Sequence, residues 1–494
     1  MKNIKLVCSS LILISLFSCN CRPQKPSNVA ANNSEKIDWQ PCESNHKQII
    51  DLTPYECGTL KVPLNWEDVH GKKIALSLKR VKAKQVKERI GSLFYINGGP
   101  GAPSIDSLNS IAHFGDKELS NKFDLISYDP RGIGKSTPLS CEKGFENITP
   151  VLPATEEQFL QLQNNMSQLR QSCLDKSGEL LNYVGTENVV KDLDAIRKAL
   201  REEKLNLYGV SYGTSVVATY AYRYPNNSRA LVLDGVVDRS LPLQEIIKND
   251  VQALKLVYDK FVNYCVTDSA CGFTAEDINK IFSNLKNEYH YLVDGKNKVI
   301  TKNEILYLFS YFIHERNWKN LAVVLNEIKK PYFEFSNCEL LKNHYEMLKS
   351  MAIPYFAVSC ADYPQYQVSW HEYLQLQQEA NKILPVFNGQ VNTLFTIGVC
   401  SGWKNSVVKP LVTEYKVTIP QKALIVSSHY DSNTPHVNAI LKQKQIAGSQ
   451  LLESDIIEHG LFLSSTDRTC INNGVIQFLL TANYSKTELN CIGK

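Results

Sequence analysis

"LNLYGVSYGTSVVATYAYRYP", residues 205–225, runs from an apolar stretch through Gly209-Val210-Ser211-Tyr212-Gly213 into a pattern rich in small residues. An apolar run that ends, reverses and opens a helix within a few residues leaves no room for side chains flanking the turn. Gly209 and Gly213 meet that requirement. The residue between them is forced into strained backbone geometry, with its side chain pushed out above the sheet. A helix that starts there also aims backbone N–H groups at any negative charge developing beside the serine. Gly-x-Ser-x-Gly alone is a modest signal, and an incidental serine in a glycine turn is the plain alternative. The strand before it and the helix after it favour a nucleophile at Ser211.

Outward from that turn, "GSLFYINGG", "FDLISYDPRG" and "ALVLDGVV" are short apolar runs, each ending in a turn. Helical patterns separate the later ones, among them "TENVVKDLDAIRKAL", with Thr186 as the expected N-cap. Buried runs alternating with helices predict a parallel sheet covered on both faces. Upstream, "CGTLKVPLNW" and "KKIALSLKRVKA" alternate apolar with polar, as half-exposed antiparallel strands do. Residues of about 240–400 read as amphipathic helices, including "AEDINKIFSNLKNEYHYL". "KALIVSSHYDSNTP" then resumes the strand pattern, "SQLLES" adds a short strand and "GVIQFLLTANY" a closing helix. The fold class is α/β: a mostly parallel, doubly wound sheet with antiparallel N-terminal strands and an inserted helical cap.

A serine nucleophile needs an oxyanion hole, a base and an acid that orients the base. "YINGGPGAPS" brings bare backbone to a strand end through Gly98, Gly99, Pro100 and Gly101, and the amides of Gly99 and Tyr212 are the expected donors. A tight turn without a role is the competing reading of that loop. In such sheets the order along the chain is serine, acid, histidine. Asp431, in "HYDSNTP", lies just past a later strand, and His459, in "EHG", lies in the loop after the last one. Of ten histidines, His46, His70, His113, His290, His314, His344 and His371 precede the acid and break that order. His429 falls at the end of the strand before Asp431, and His436 belongs to the acid's own loop. Asp455 and Glu458 are rival acids but stand too near His459.

The net charge is +4 over 494 residues, without a basic block, which gives no reason to invoke nucleic acid. "MKNIKLVCSSLILISLFSCNC" has Lys2 and Lys5 before an apolar run too short for a comfortable membrane span. A small residue before Cys19 resembles a bacterial lipobox, so residues 1–18 read as a signal peptide. Cys19 then carries lipid, and residues 19–40 form a polar tether; cleavage by the general signal peptidase is the alternative. Setting aside Cys8 and Cys19 leaves 12 of the 14 cysteines, a number that suits an oxidising compartment. Proximity along the chain suggests Cys42–Cys57, Cys141–Cys173, Cys265–Cys271, Cys360–Cys400 and Cys470–Cys491, with Cys21 and Cys338 left over. No Cys-x-x-Cys pair sits near a histidine pair, so no metal is expected.

"GGPG", "YDPRGIGKS", "GVSYGT", "HYDSNTP" and "EHG" together resemble the proline iminopeptidase-like serine peptidases of the alpha/beta-hydrolase superfamily. The nearer likeness is to the exported tripeptidyl aminopeptidase-type hydrolases, and it runs from about residue 40 to 494. The resemblance implies an alpha/beta-hydrolase fold divided into residues 41–240, a helical cap over 241–404 and residues 405–494. It further implies a peptidase that releases short pieces from free peptide N-termini, with Ser211, Asp431 and His459 as its triad and no cofactor. Asn97 departs from the pattern, since many relatives have histidine before the glycines. Ile457-Glu458 stand where relatives have a more glycine-rich turn. An aminopeptidase needs a negative group for the substrate ammonium, and Asp362 is one candidate, beside Glu245 and Glu379. Peptides are the expected partners, with the membrane reached through lipid. The expected location is exported, either periplasmic, on the outer membrane or secreted. Two other readings stay open: an envelope esterase or lipase with the same triad, and a non-catalytic binding protein on a hydrolase scaffold.

Overall fold

Strand-forming runs this apolar persist only when both of their faces are covered. The structure, a computed structural model, describes residues 36–42, 54–109, 117–142, 152–268, 271–293, 296–314, 318–328, 339–404, 410–414, 417–418, 423–463, 469–483 and 491–493. The expected signal peptide, Cys19, most of the tether, Cys21 and Cys338 lie outside the described residues. The strands are β1 (Asp38–Pro41), β2 (Glu56–Pro63), β3 (Lys73–Val81), β4 (Gly91–Ile96), β5 (Phe123–Tyr128), β6 (Leu205–Val210), β7 (Ser228–Asp234), β8 (Glu288–Val293), β9 (Lys296–Thr301), β10 (Val417–Thr418), β11 (Ala423–Ser428), β12 (Ile446–Ala447) and β13 (Gln450–Ser454). Nine of them form one sheet in the order β1-β2-β3-β5-β4-β6-β7-β11-β13. The pairs β1–β2, β2–β3 and β3–β5 are antiparallel, and all later pairs are parallel.

The described helices are α1 (Lys117–Lys122), α2 (Glu156–Ser177), α3 (Thr186–Leu200), α4 (Tyr212–Arg223), α5 (Leu243–Thr267), α6 (Ala275–Ser283), α7 (Lys302–His314), α8 (Trp318–Ile328), α9 (Glu339–Asp362), α10 (Trp370–Ile383), α11 (Asn392–Gly402), α12 (His436–Gln445) and α13 (Thr469–Thr481). Alternate side chains of the central strands feed two apolar cores. Leu207, Leu231, Leu233 and Ile425 join Val189, Val190, Leu193 and Ile196 of α3 and Val216 and Val217 of α4 on one face. Tyr208, Val232, Leu424 and Val426 join Val475, Phe478 and Leu479 of α13 on the other. No described helix is long and apolar enough to cross a membrane.

Helices α5–α11 intervene between β7 and β11 and pack on the sheet domain through α2, where a Cβ at Gly402 would reach within 2.6 Å of the Gln163 Cα. The helical reading of that segment needs one correction. Helix α6 ends at Ser283, and "EYHYLV" forms β8, paired antiparallel with β9. Its Tyr, Leu and Val content suits a strand better than a helix extension. Helix α2 was not expected, although Thr155 caps it by accepting from the Gln158 amide, with Glu156 and Glu157 in its first turn. At α3 the N-cap is Gly185, and Thr186 is the first helical residue. All five expected disulfides are present: Cys42–Cys57, Cys141–Cys173, Cys265–Cys271, Cys360–Cys400 and Cys470–Cys491.

Candidate active site

In an open parallel sheet, a crevice forms where neighbouring strands send their chains to opposite sides. Here that point lies between β4 and β6, since β5 follows β4 on one side and β7 follows β6 on the other. The loop after β4 carries Gly98–Gly101, and the turn after β6 carries Ser211. Two strands further along, β11 and β13 end just before Asp431 and His459.

Ser211 has a positive φ of 57° with ψ −127°, a backbone conformation that L side chains rarely adopt, between β6 and α4. The glycines around it are sterically required. A Cβ at Gly209 would collide with the Gly213 carbonyl, and one at Gly213 with the Ile96 carbonyl. The loop after β4 runs alongside: a Cβ at Gly98 would stand 2.6 Å from Ser211 Cβ and 3.0 Å from Ser211 Oγ. Asn97 braces this loop. Its Oδ1 accepts the Gly98 amide at 2.8 Å, and its Nδ2 donates to the Pro103 carbonyl and Ser107 Oγ, both at 3.2 Å. Asn97, where the family resemblance implies histidine, thus ties the loop to its own residues 98, 103 and 107. Helix α9 roofs the same loop, since a Cβ at Gly101 would lie 3.0 Å from the Tyr355 amide nitrogen and 3.1 Å from the Met351 carbonyl.

His459 Nδ1 lies 2.9 Å from Asp431 Oδ2. Asp431 is buried, and its Oδ1 also accepts the Asn433 and Thr434 amides at 2.9 Å, while Thr434 Oγ1 donates to Oδ2 at 2.7 Å. Burial pushes this carboxyl upward, but His459 and the Thr434 donors outweigh it and hold the carboxyl below its usual range. The His459 ring stands over the turn after β7, where a Cβ at Gly235 would sit 3.2 Å from Cε1. A Cβ at Gly460 would stand 2.8 Å from Val210 Cγ2, so the His459 loop packs on the residue preceding Ser211.

Two residues that sequence reasoning missed fix these loops. The Asp234 carbonyl accepts the Ser211 amide at 2.9 Å, while its carboxylate accepts the Leu461 and Phe462 amides at 2.8 Å and the Tyr208 hydroxyl at 2.8 Å. One buried residue thus holds both the serine turn and the histidine loop. Burial raises its pKa, against the pull of those donors. Thr434 is the second, touching both Asp431 and His459 Nδ1. Its signal was present as Asp-x-x-Thr, a spacing that lets an aspartate accept local amides.

Asp362 is 1% exposed and does not stand at an open mouth. Its Oδ1 accepts the Thr186 amide at 2.9 Å and its Oδ2 the Thr186 hydroxyl at 2.6 Å. That hydroxyl lies 2.5 Å from the Tyr212 phenol. The expected ammonium site is instead an internal link from the end of α9 through α3 to the residue after Ser211. Burial lifts the Asp362 pKa to about 7. In "YDPRGIGKS", Arg131 makes a buried two-point pair with Asp192 at 2.7 and 2.6 Å, and Asp129 accepts the Ser104, Ile105 and Lys135 amides. Both are supports for neighbouring loops.

A strained serine on a strand–helix turn, a bare-backbone loop against it and a half-buried histidine paired with a buried carboxylate define a serine hydrolase on an α/β sheet. Comparisons with known proteins agree. Residues 91–306 match the alpha/beta hydrolase fold, and residues 385–491 match the family described as TAP-like protein. The chain has the alpha/beta hydrolase fold and is similar to tripeptidyl aminopeptidase-type hydrolases. Serine protease Hip1 of Mycobacterium tuberculosis (strain ATCC 25618 / H37Rv) is 26% identical, over 92% of this chain and 91% of that protein. The tripeptidyl aminopeptidase of Streptomyces lividans is 27% identical, over 95% and 89%. Carboxylesterase B of Mycobacterium tuberculosis (strain CDC 1551 / Oshkosh) is 25% identical, over 92% and 89%.

Proposed function

We propose that this serine hydrolase is an exported exopeptidase that releases single amino acids or di- and tripeptides from free peptide N-termini. Ser211 is the nucleophile, His459 the base and Asp431 the acid that orients it. The observation that carries the reading is the 2.9 Å His459–Asp431 contact, in a loop packed on Val210 next to a serine held at φ 57°. Likeness to a serine protease and to a tripeptidyl aminopeptidase over nine-tenths of the chain supports peptides as substrates. The five disulfides fit an oxidising compartment, and lipid on Cys19 supplies the membrane anchor.

In the first step Ser211 Oγ bonds to the scissile carbonyl carbon while its proton passes to His459. Asp431 keeps a proton on Nδ1 and stabilises the imidazolium. The carbonyl oxygen becomes an oxyanion facing the amides of Gly99 and Tyr212. The carbon–nitrogen bond then breaks, and His459 returns the proton to the departing amine. Water activated by the same imidazole releases the acyl group and regenerates Ser211. The α9 roof over the Gly98–Gly101 loop restricts access to chain ends and excludes folded proteins.

The test compares tripeptidyl and aminoacyl anilides with the same compounds blocked at the N-terminus, alongside fluorophosphonate labelling. Free-amine substrates should turn over and blocked ones should not, with labelling lost in Ser211→Ala. Likeness to a carboxylesterase keeps an ester-cleaving reading in view; p-nitrophenyl ester turnover without any anilide turnover would select it.

A further inference from the structure

Three side chains outside the candidate catalytic centre converge at the carboxyl end of the sheet. His429 directly follows β11, His436 opens α12, and Glu453 lies on β13 opposite Ser427 of β11. Glu453 Oε1 is 3.4 Å from His429 Nε2 and 3.2 Å from His436 Nε2. One donor atom from each residue lies within 4.8 Å of the other two. The rings meet edge to face with centroids 4.6 Å apart.

These separations have a physical reading. In a tetrahedral ion with bonds of about 2.0–2.1 Å, neighbouring donor atoms stand roughly 3.3–3.4 Å apart. Both nitrogen–oxygen distances fall close to that edge length. The outward ring nitrogens are engaged as well: His429 Nδ1 lies 2.7 Å from Asp455 Oδ1, and His436 Nδ1 lies 3.0 Å from Ser427 Oγ. A proton held on Nδ1 by such a partner leaves the Nε2 lone pair facing inward. This is the arrangement that orients metal-binding imidazoles. The side chains of His429, His436 and Glu453 are 31%, 24% and 26% exposed, so water can reach a fourth position. Two imidazoles and one carboxylate suit zinc far better than calcium or magnesium, which take oxygen donors.

We propose that His429, His436 and Glu453 form a binding site for a zinc-class divalent ion, with Asp455 and Ser427 orienting the imidazoles. The two histidines bracket residues 430–435, the segment that carries Asp431. An ion bound there ties both ends of that segment to β13.

The test uses the mature protein freed of metal by a chelator. Zn²⁺ is titrated by calorimetry, and Co²⁺ serves as a visible-absorption probe of four-coordinate geometry. One ion per chain is expected, with a tetrahedral cobalt band that zinc abolishes. His436→Ala and Glu453→Gln should remove binding. Asp455→Asn leaves all three ligands in place and should weaken affinity by about 10- to 100-fold. Thermal melts verify that each variant is folded, and Asp455, partly exposed, provides the change least able to disturb folding. Wild-type protein that takes up no stoichiometric zinc overturns the proposal. So does binding that persists unchanged in folded His436→Ala and Asp455→Asn, the pattern expected if thiols held the metal.

Discussion

Replacing Asp362 with asparagine should change stability in a pH-dependent way, and the structure sets both sign and size. The carboxyl is buried, and its pKa rises from 3.8 to about 7 because burial disfavours the charged form. Between about pH 4 and pH 7 the unfolded chain has released a proton that the folded chain retains. Stability therefore falls by roughly 1.4 kcal/mol per pH unit across that window. The contribution is fully present below the unfolded pKa and is lost as pH rises through about 7. Over the three-unit span the total is about 4 kcal/mol, an upper bound for one site. Asparagine does not titrate. It keeps an acceptor for the Thr186 amide, and its NH₂ group can donate to the Thr186 hydroxyl in place of a protonated oxygen. Urea unfolding of both proteins at about pH 5 and pH 8 isolates the residue, because other titrating groups cancel in the difference. Asp362→Asn should gain about 2–3 kcal/mol on the wild type between those two conditions, since only the interval from about pH 5 to about pH 7 contributes. A stability gap that stays constant with pH would refute the buried-acid reasoning.

Gly98→Ala places a methyl 2.6 Å from Ser211 Cβ; kcat should fall about 100- to 1,000-fold, the scale of a lost oxyanion donor, and the overlap should cost about 1–3 kcal/mol of stability, read as a lowered thermal midpoint. Asp431→Asn should lower kcat by about 10⁴ through the wrong imidazole tautomer, read in anilide hydrolysis at neutral pH, and a loss under tenfold would remove Asp431 from the triad. In Asp234→Asn, one face of the carboxylate becomes a donor against the Leu461 and Phe462 amides; a loss of about 1–3 kcal/mol is expected in chemical denaturation, with kcat falling more than KM rises.

Much of this was legible in the sequence, and the reasons are local. Short-range rules govern the serine turn: a strand-to-helix reversal admits no side chain at positions 209 and 213, so the glycines announced it. The parallel pairing of the later strands followed from apolar runs that need both faces covered. The disulfides were legible because each pair is close along the chain, the widest separation being 40 residues. What stayed hidden depends on contacts between distant segments. Asp362 looks like any charged residue near a helix end; only folding brings Thr186, 176 positions away, against it. Asp234 meets Leu461 across 227 positions, and no spacing rule reaches that far. His429 and Glu453 meet only because parallel pairing sets β13 beside β11. The β8–β9 hairpin was lost for a different reason, since a helical window carried past Ser283 absorbed a short strand.

The loops that hold the reacting groups are irregular backbone, which cannot position itself through ladder or helix hydrogen bonds. In this fold each is clamped by a buried carboxylate that accepts main-chain amides. Asp129 takes Ser104 and Ile105 beyond the Gly98–Gly101 loop, Asp234 takes Leu461 and Phe462 beyond His459, and Asp362 takes Thr186 beside Tyr212. Burial raises all three pKa values, so each clamp costs stability. What that cost obtains is placement: Asp129 accepts three amides at once, Asp234 two, and Asp362 an amide and a hydroxyl. None of the three is a proton carrier in the proposed reaction. Their substitution should therefore act through the geometry of Ser211, His459 and the oxyanion loop, lowering kcat more than it raises KM.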